Sequence, residues 1–184
     1  MRSLPLTALC AAALFAASCG SDDKAKPAPA AADVSSLAGA PTPLAEVHGQ
    51  ANRLLGGGAD AFKKRLKGLE GFPVVVNKWA SWCAPCRAEL PYFQSQALKR
   101  GKQVAFLAVN SNDNDDDARE FMREFPVSYP SYSDPDLAVS AVFNGVQAFP
   151  TTAFYDKEGE LAFVHQGGYA TEKKLVENIE RYAR

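Results

Sequence analysis

Histidine and methionine are nearly absent from this chain, with two of each in 184 residues. A zinc site needs four ligands, and His48 and His165 both lie far in sequence from the cysteines. A copper(I) carrier would want a methionine or histidine beside its sulfurs, and beyond Met1 only Met122 is present. Cysteine is scarce too, limited to Cys10, Cys19, Cys83 and Cys86. An excess of one charge is also lacking: 20 basic and 21 acidic residues leave a formal -1, which gives no electrostatic case for nucleic acid as a partner. No apolar run approaches the ~20 residues of a membrane-crossing helix. Gly56-Gly57-Gly58 is not followed by Gly-Lys-Ser/Thr, so it reads as a flexible break and not a phosphate loop. What is present, 47% hydrophobic and 22% charged, suits one soluble domain with a core and a tail.

The first residues carry a targeting pattern. Arg2 supplies a positive start and Leu6 through Ala17 a short apolar stretch. Ala16-Ala17-Ser18-Cys19-Gly20 resembles the bacterial lipoprotein processing box, with Ala16 where Leu is usual. That resemblance implies a signal peptide over residues 1–18 and a lipid on Cys19, anchoring the protein to a membrane. The competing expectation is a secretory signal cut near Ala17, leaving Cys19 a free thiol. Residues 19–44, rich in Ala, Pro, Ser, Asp and Lys, read as a disordered tether. The folded domain is expected over 45–184 and keeps only Cys83 and Cys86. Any disulfide within it is then a reactive one, not part of a structural framework.

Those two cysteines stand in the most informative stretch, Trp79-Ala80-Ser81-Trp82-Cys83-Ala84-Pro85-Cys86-Arg87-Ala88-Glu89-Leu90-Pro91. Before it, the β-branched run Phe72 to Lys78 predicts a buried strand. After it, Leu90, Phe93, Ala97 and Leu98 recur at helical spacing, with Pro91 an expected kink. Cys83 therefore falls at a helix N-terminus, where unpaired N–H groups and the macrodipole favour a thiolate. Cys86, about one turn later, can attack a mixed disulfide formed at Cys83. Pro85 shortens the turn without spending an N–H that the helix needs, and Trp82 offers a flat apolar surface beside the thiol.

Around this centre the pattern alternates. Leu44–Leu55 is a possible short amphipathic stretch. Asp60 is expected to cap a helix through Phe62, Leu66 and Leu69, with Lys63, Lys64, Arg65 and Lys67 solvated. Gln103–Asn110 reads as a second buried strand. Asp113, Asp115, Asp117 and Glu124 fall at calcium-loop positions, but Ala118 replaces the required glycine, and a helix through Phe121, Met122 and Phe125 explains the run better. A Pro-rich loop over 126–135, a short helix over 136–143, a hairpin turning at Lys157-Glu158-Gly159 and a last helix from Thr171 complete the order.

The Trp-Cys-Ala-Pro-Cys motif on a strand-to-helix turn resembles the thioredoxin superfamily. The wider Asn77–Pro91 stretch is closest to its TlpA/ResA-like branch of membrane-tethered oxidoreductases. The resemblance implies an α/β thioredoxin fold, a central mixed β-sheet flanked by helices, with a short N-terminal extension. It implies a redox-active disulfide between Cys83 and Cys86, with Cys83 as nucleophile. It further implies a cis-proline at Pro150, which with Phe149 and Trp82 would meet an extended substrate; bulky Phe149 is unexpected there. The buried aspartate of cytoplasmic thioredoxins is Asn77 here, which cannot titrate. Glu89 matches the glutamate of the TlpA/ResA-like group and becomes the expected proton acceptor, a surface glutamate being the alternative. Lys78 and Arg87 are expected to stabilise a thiolate or to be solvated, and His165 to be structural.

The function these expectations describe is an extracytoplasmic thiol–disulfide oxidoreductase of the bacterial cell envelope. It would reduce protein disulfides, with apocytochrome c as a candidate, without a cofactor or bound metal. A membrane electron donor or acceptor would be its redox partner, and a monomer its working form. A disulfide-forming oxidase is the same site run backwards, since superfamily potentials span about 150 mV. A tethered copper(I) chaperone and a thiol peroxidase fit less well.

Overall fold

The computed structural model describes Met1 and residues 33–184; the expected signal, Cys19 and residues 19–32 of the tether lie outside the described residues. Within them a six-stranded mixed sheet runs in the order β1-β4-β3-β2-β5-β6. The strands are β1 (Leu54–Leu55), β2 (Val74–Trp79), β3 (Ala105–Ser111), β4 (Ser131–Asp134), β5 (Thr151–Tyr155) and β6 (Leu161–Gln166). β1, β4, β3 and β2 are parallel, whereas β5 and β6 pair antiparallel. The helices are α1 (Thr42–His48), α2 (Gly58–Gly68), α3 (Ala84–Arg100), α4 (Asp115–Glu124), α5 (Ala138–Val142) and α6 (Glu172–Tyr182). This is the thioredoxin fold that the order of elements led us to expect.

β2 lies inside the sheet, led by the apolar, β-branched Val74, Val75 and Val76, and its six positions are all buried. It pairs with β3 from Val74 opposite Ala105 to Trp79 opposite Asn110, and with β5 from Val74 opposite Tyr155 to Lys78 opposite Thr151. Successive side chains of a strand point to opposite faces. Asn77 accordingly reaches the Glu89 carboxylate of α3, while Lys78 reaches the loop after α5.

Several boundaries differ from expectation. The tether does not extend to 44: a 3₁₀ turn at Ser35–Leu37 precedes α1, and Leu37, Leu44 and Val47 are buried. His48 Nε2 lies 2.7 Å from the Gly101 carbonyl oxygen at the end of α3. Any side chain on Gly101 would press into Ala97 O at 2.5 Å and Leu37 Cδ2 at 2.8 Å, so this glycine lets the N-terminal segment dock. Apolar burial, invisible in a composition rich in Ala and Pro, orders the segment. Asp60 is not the cap of α2, which starts earlier with Gly57 at its N-cap; Asp60 sits in the first turn. Arg65 is not solvated either, because its guanidinium donates to Tyr132 Oη and Gln50 Oε1. The two-residue edge strand β1 had no periodicity to announce it; it exists because β4 offers a free edge.

The acidic run opens α4 as its helical pattern predicts. Asn114 is the N-cap, its Oδ1 accepting from the Asp117 amide at 2.9 Å, with Asp115–Asp117 in the first turn. Thr171 caps α6, and Glu172 binds Ser95 and Gln96 of α3, joining the two helices.

Candidate active site

Cys83 is the N-cap of α3, and the chain there leaves the β2 strand. Ala84 and Pro85 begin the helix without needing intrahelical donors. Cys83 and Cys86 are joined as a disulfide with Cα atoms 5.3 Å apart. The Cys86 amide donates to Cys83 Sγ at 3.2 Å. The same donor would hold a thiolate at that sulfur after reduction. Both cysteines are buried, whereas Trp82 beside them is 56% exposed, the only exposed large apolar side chain among residues 33–184.

The preceding turn is braced. Asp113 accepts from the Ser81 amide at 2.6 Å, from Ser81 Oγ at 2.9 Å and from Asn110 Nδ2 at 2.8 Å. Trp82 Nε1 donates to the Asn112 carbonyl. The sequence does not announce these partners, because Asp113 and Ser81 lie 32 residues apart and meet only across the folded sheet.

The Phe149–Pro150 peptide is cis, and β5 begins at Thr151. The Phe149 ring lies 4.8 Å from that of Trp82, so the two aromatics form one apolar face beside the disulfide. A methyl built on Gly168 would lie 3.6 Å from Pro85, 3.7 Å from Glu89 Oε2 and 3.7 Å from Pro150. Gly168 thus stands where the inter-cysteine turn, the cis-proline and the Glu89 carboxylate converge, and a side chain there would touch all three.

Glu89 is fully buried, which excludes the surface-glutamate alternative. Its Oε1 accepts from Asn77 Nδ2 at 2.8 Å and its Oε2 from the Tyr169 amide at 2.9 Å. Burial pushes its pKa up to about 7, against which the two hydrogen bonds pull only partly. Cys86 and Glu89 stand three residues apart on α3, on one face of the helix. Burial, and after it the charge of Glu89, raises the pKa of the Tyr129 hydroxyl. His165 stacks on Tyr169 at 4.3 Å, and burial lowers its pKa.

Lys78 neither faces a thiolate nor meets solvent. It is fully buried, and Nζ donates to the carbonyls of Gly145 at 2.7 Å, Val146 at 3.2 Å and Ala148 at 3.2 Å. Arg87 is exposed and lies over Phe121 and Phe125. Among the described residues, no three His, Cys, Asp or Glu side chains gather to hold a metal, and no helix is long and apolar enough to cross a membrane.

With this geometry in hand, comparison with known proteins is specific. Residues 27–180 match the Redoxin family. The chain belongs to that family. Within the thioredoxin superfamily this Redoxin protein is of the ResA/TlpA-like type. It is 33% identical to the thiol-disulfide oxidoreductase ResA of Halalkalibacterium halodurans over 116 residues, covering 62% of this chain and 65% of that one. For ResA of Oceanobacillus iheyensis the identity is 32%, over 59% of this chain and 57% of that one. The chain thus spans less than two thirds of the length of these relatives. Among solved structures, the pneumococcal exposed lipoprotein thioredoxin of Streptococcus pneumoniae superposes with a TM-score of 0.56 at 27% identity, over 63% of this chain and 89% of that one.

Proposed function

We propose that this protein is an extracytoplasmic thiol–disulfide oxidoreductase that reduces disulfides in other proteins. The observation that carries the reading is the Cys83–Cys86 disulfide at the start of α3, with the Cys86 amide on Cys83 Sγ and the buried Glu89 one turn on. The naming of similar proteins as thiol-disulfide oxidoreductases supports it.

In the reduced protein the Cys83 thiolate attacks a substrate disulfide, forming a mixed disulfide and releasing the first substrate sulfur as a thiolate. Glu89, or water it orders, takes the proton of the Cys86 thiol. The Cys86 thiolate then attacks Cys83 Sγ, the mixed disulfide breaks, and the second substrate thiolate leaves. Two electrons have passed to the substrate, which leaves as two thiolates that take their protons from solvent, the Cys86 proton stays with its acceptor, and the Cys83–Cys86 disulfide has closed. A dithiol donor at the membrane resets the pair by the same exchange in reverse. Trp82, Phe149 and Pro150 form the face that receives the substrate chain. The cysteine pair of apocytochrome c before haem attachment is the substrate implied by the ResA-like type.

The direction of electron flow is a matter of potential. Equilibration of the Cys83–Cys86 pair in dithiothreitol buffers should give a value near or below the roughly -270 mV of thioredoxin. A value near the roughly -120 mV of a strong oxidant would make the protein a disulfide-forming oxidase instead.

Lipid on Cys19 is proposed as the anchor, with residues 20–34 as the tether. Anchoring would raise the effective concentration of the domain at a membrane where its donor and substrate reside. Expressed in a bacterium, the full chain should partition with membranes, and Cys19→Ser should move it to the soluble envelope fraction. A Cys19→Ser chain that stays with the membrane would remove the lipid anchor from this reading.

A further inference from the structure

Among the described residues, Lys78 is the one buried lysine or arginine, and the exchange chemistry leaves it without a task. A lysine in the interior of a sheet is expensive, because burial disfavours its charge. Here burial lowers its pKa, and only the charge of Asp134 works the other way. The ammonium has three N–H donors, and three loop carbonyls take them, those of Gly145, Val146 and Ala148. The same ammonium stands 3.7 Å from the centre of the Phe149 ring. That ring lies in turn against Trp82, and its own peptide is the cis bond to Pro150.

The loop from Asn144 to Phe149 has little else to shape it. Gly145 N donates to Ser140 O, and Thr151 Oγ1 shares the Ala148 carbonyl. Gly145 itself is packed so that a Cβ would fall 2.2 Å from the Phe143 ring, which fixes where its carbonyl can point. From the face of β2 opposite Asn77, Lys78 thus gathers the backbone on which Phe149 is carried and also attracts the ring itself.

We infer that Lys78 is a positioning residue that holds Phe149 against Trp82, and so sets how tightly the protein grips a peptide disulfide without touching the reacting sulfurs. This rests on the reading that Trp82 and Phe149 form the substrate face. The substrate class it favours is an extended chain with an apolar residue beside its cysteine, which the paired rings would cover.

The test is a double-mutant cycle on the full chain, reduced, with a disulfide-bonded octapeptide as substrate. Phe149→Ala should raise KM about tenfold. Lys78→Met should raise KM by a similar factor with kcat changed less than twofold, and should add less than twofold when Phe149 is already alanine. If Phe149→Ala leaves KM unchanged, the substrate-face reading fails, and the inference with it. If Phe149→Ala raises KM but Lys78→Met does not, or multiplies fully in the alanine background, the inference is overturned while the substrate face stands. Lys78→Gln, which keeps two N–H donors but no charge, runs in parallel in case the methionine variant does not fold. On the unmutated chain, binding of the octapeptide to the oxidised form should shift the ¹⁵Nζ resonance of Lys78. A resonance indifferent to the peptide overturns the inference without any lysine variant.

Discussion

Cys86→Ala should leave the protein covalently attached to its substrate, whereas Cys83→Ala should leave it inert. The two cysteines are not equivalent, because only Cys83 Sγ receives a backbone N–H, at the N-cap of α3. With Cys86 as alanine, the Cys83 thiolate still attacks, but nothing resolves the mixed disulfide, which accumulates as a non-reducing gel species released by dithiothreitol. With Cys83 as alanine, the remaining sulfur sits one turn into the helix without the N-cap amide, and disulfide reduction should fall by about a thousandfold or more. Insulin-disulfide turbidity and a gel-shift assay read both outcomes. If the alanine at 86 turns over freely, or if the alanine at 83 forms the trapped species, the order of attack is wrong.

The second large effect is in the pH dependence set by Glu89. Its carboxyl is raised from 4.5 to about 7 in the folded protein. Between those two values the folded chain holds a proton that the unfolded chain has lost. Stability is therefore full below about pH 4.5 and declines as pH rises toward 7. The difference corresponds to about 3 kcal/mol. Urea denaturation of the oxidised chain at pH 5 and pH 8 should show most of that decline, and Glu89→Gln should flatten it. Equal pH slopes for the two proteins would mean that Glu89 does not titrate there. The same substitution should slow resolution of the mixed disulfide by about 10² and remove its dependence on a group near pH 7, as expected on loss of a general base. A variant flattened in stability but unaltered in resolution would leave Glu89 a structural acid.

How Glu89 comes by this property shows where sequence reading stops. That a carboxyl stands one turn past Cys86 on the same helix face was legible from spacing alone. That it is buried was not, because the hydrogen bond that closes over it comes from the Tyr169 amide, 80 residues on. Asn77 was recognised as unable to titrate. Its use as a donor to Glu89 needed the pairing of β2 with its neighbours and the docking of α3. Lys78 is the sharper case. A lysine in the stretch leading to an active-site cysteine invites an electrostatic reading, yet strand alternation turns it to the face opposite Asn77, onto carbonyls 67 to 70 residues later.

Local chemistry sufficed for the rest. Two cysteines separated by Ala-Pro, placed between a β-branched run and a helical pattern, specify a dithiol at a helix N-terminus, since strand period, helix period and capping act over a few residues. The hairpin and the cap at Thr171 are short-range in the same way. The ordering of residues 35–44, the edge strand β1, the burial of Glu89 and the reach of Lys78 are contacts between segments distant in the chain. They exist only once the sheet has assembled, because burial and hydrogen-bond satisfaction depend on which surfaces meet.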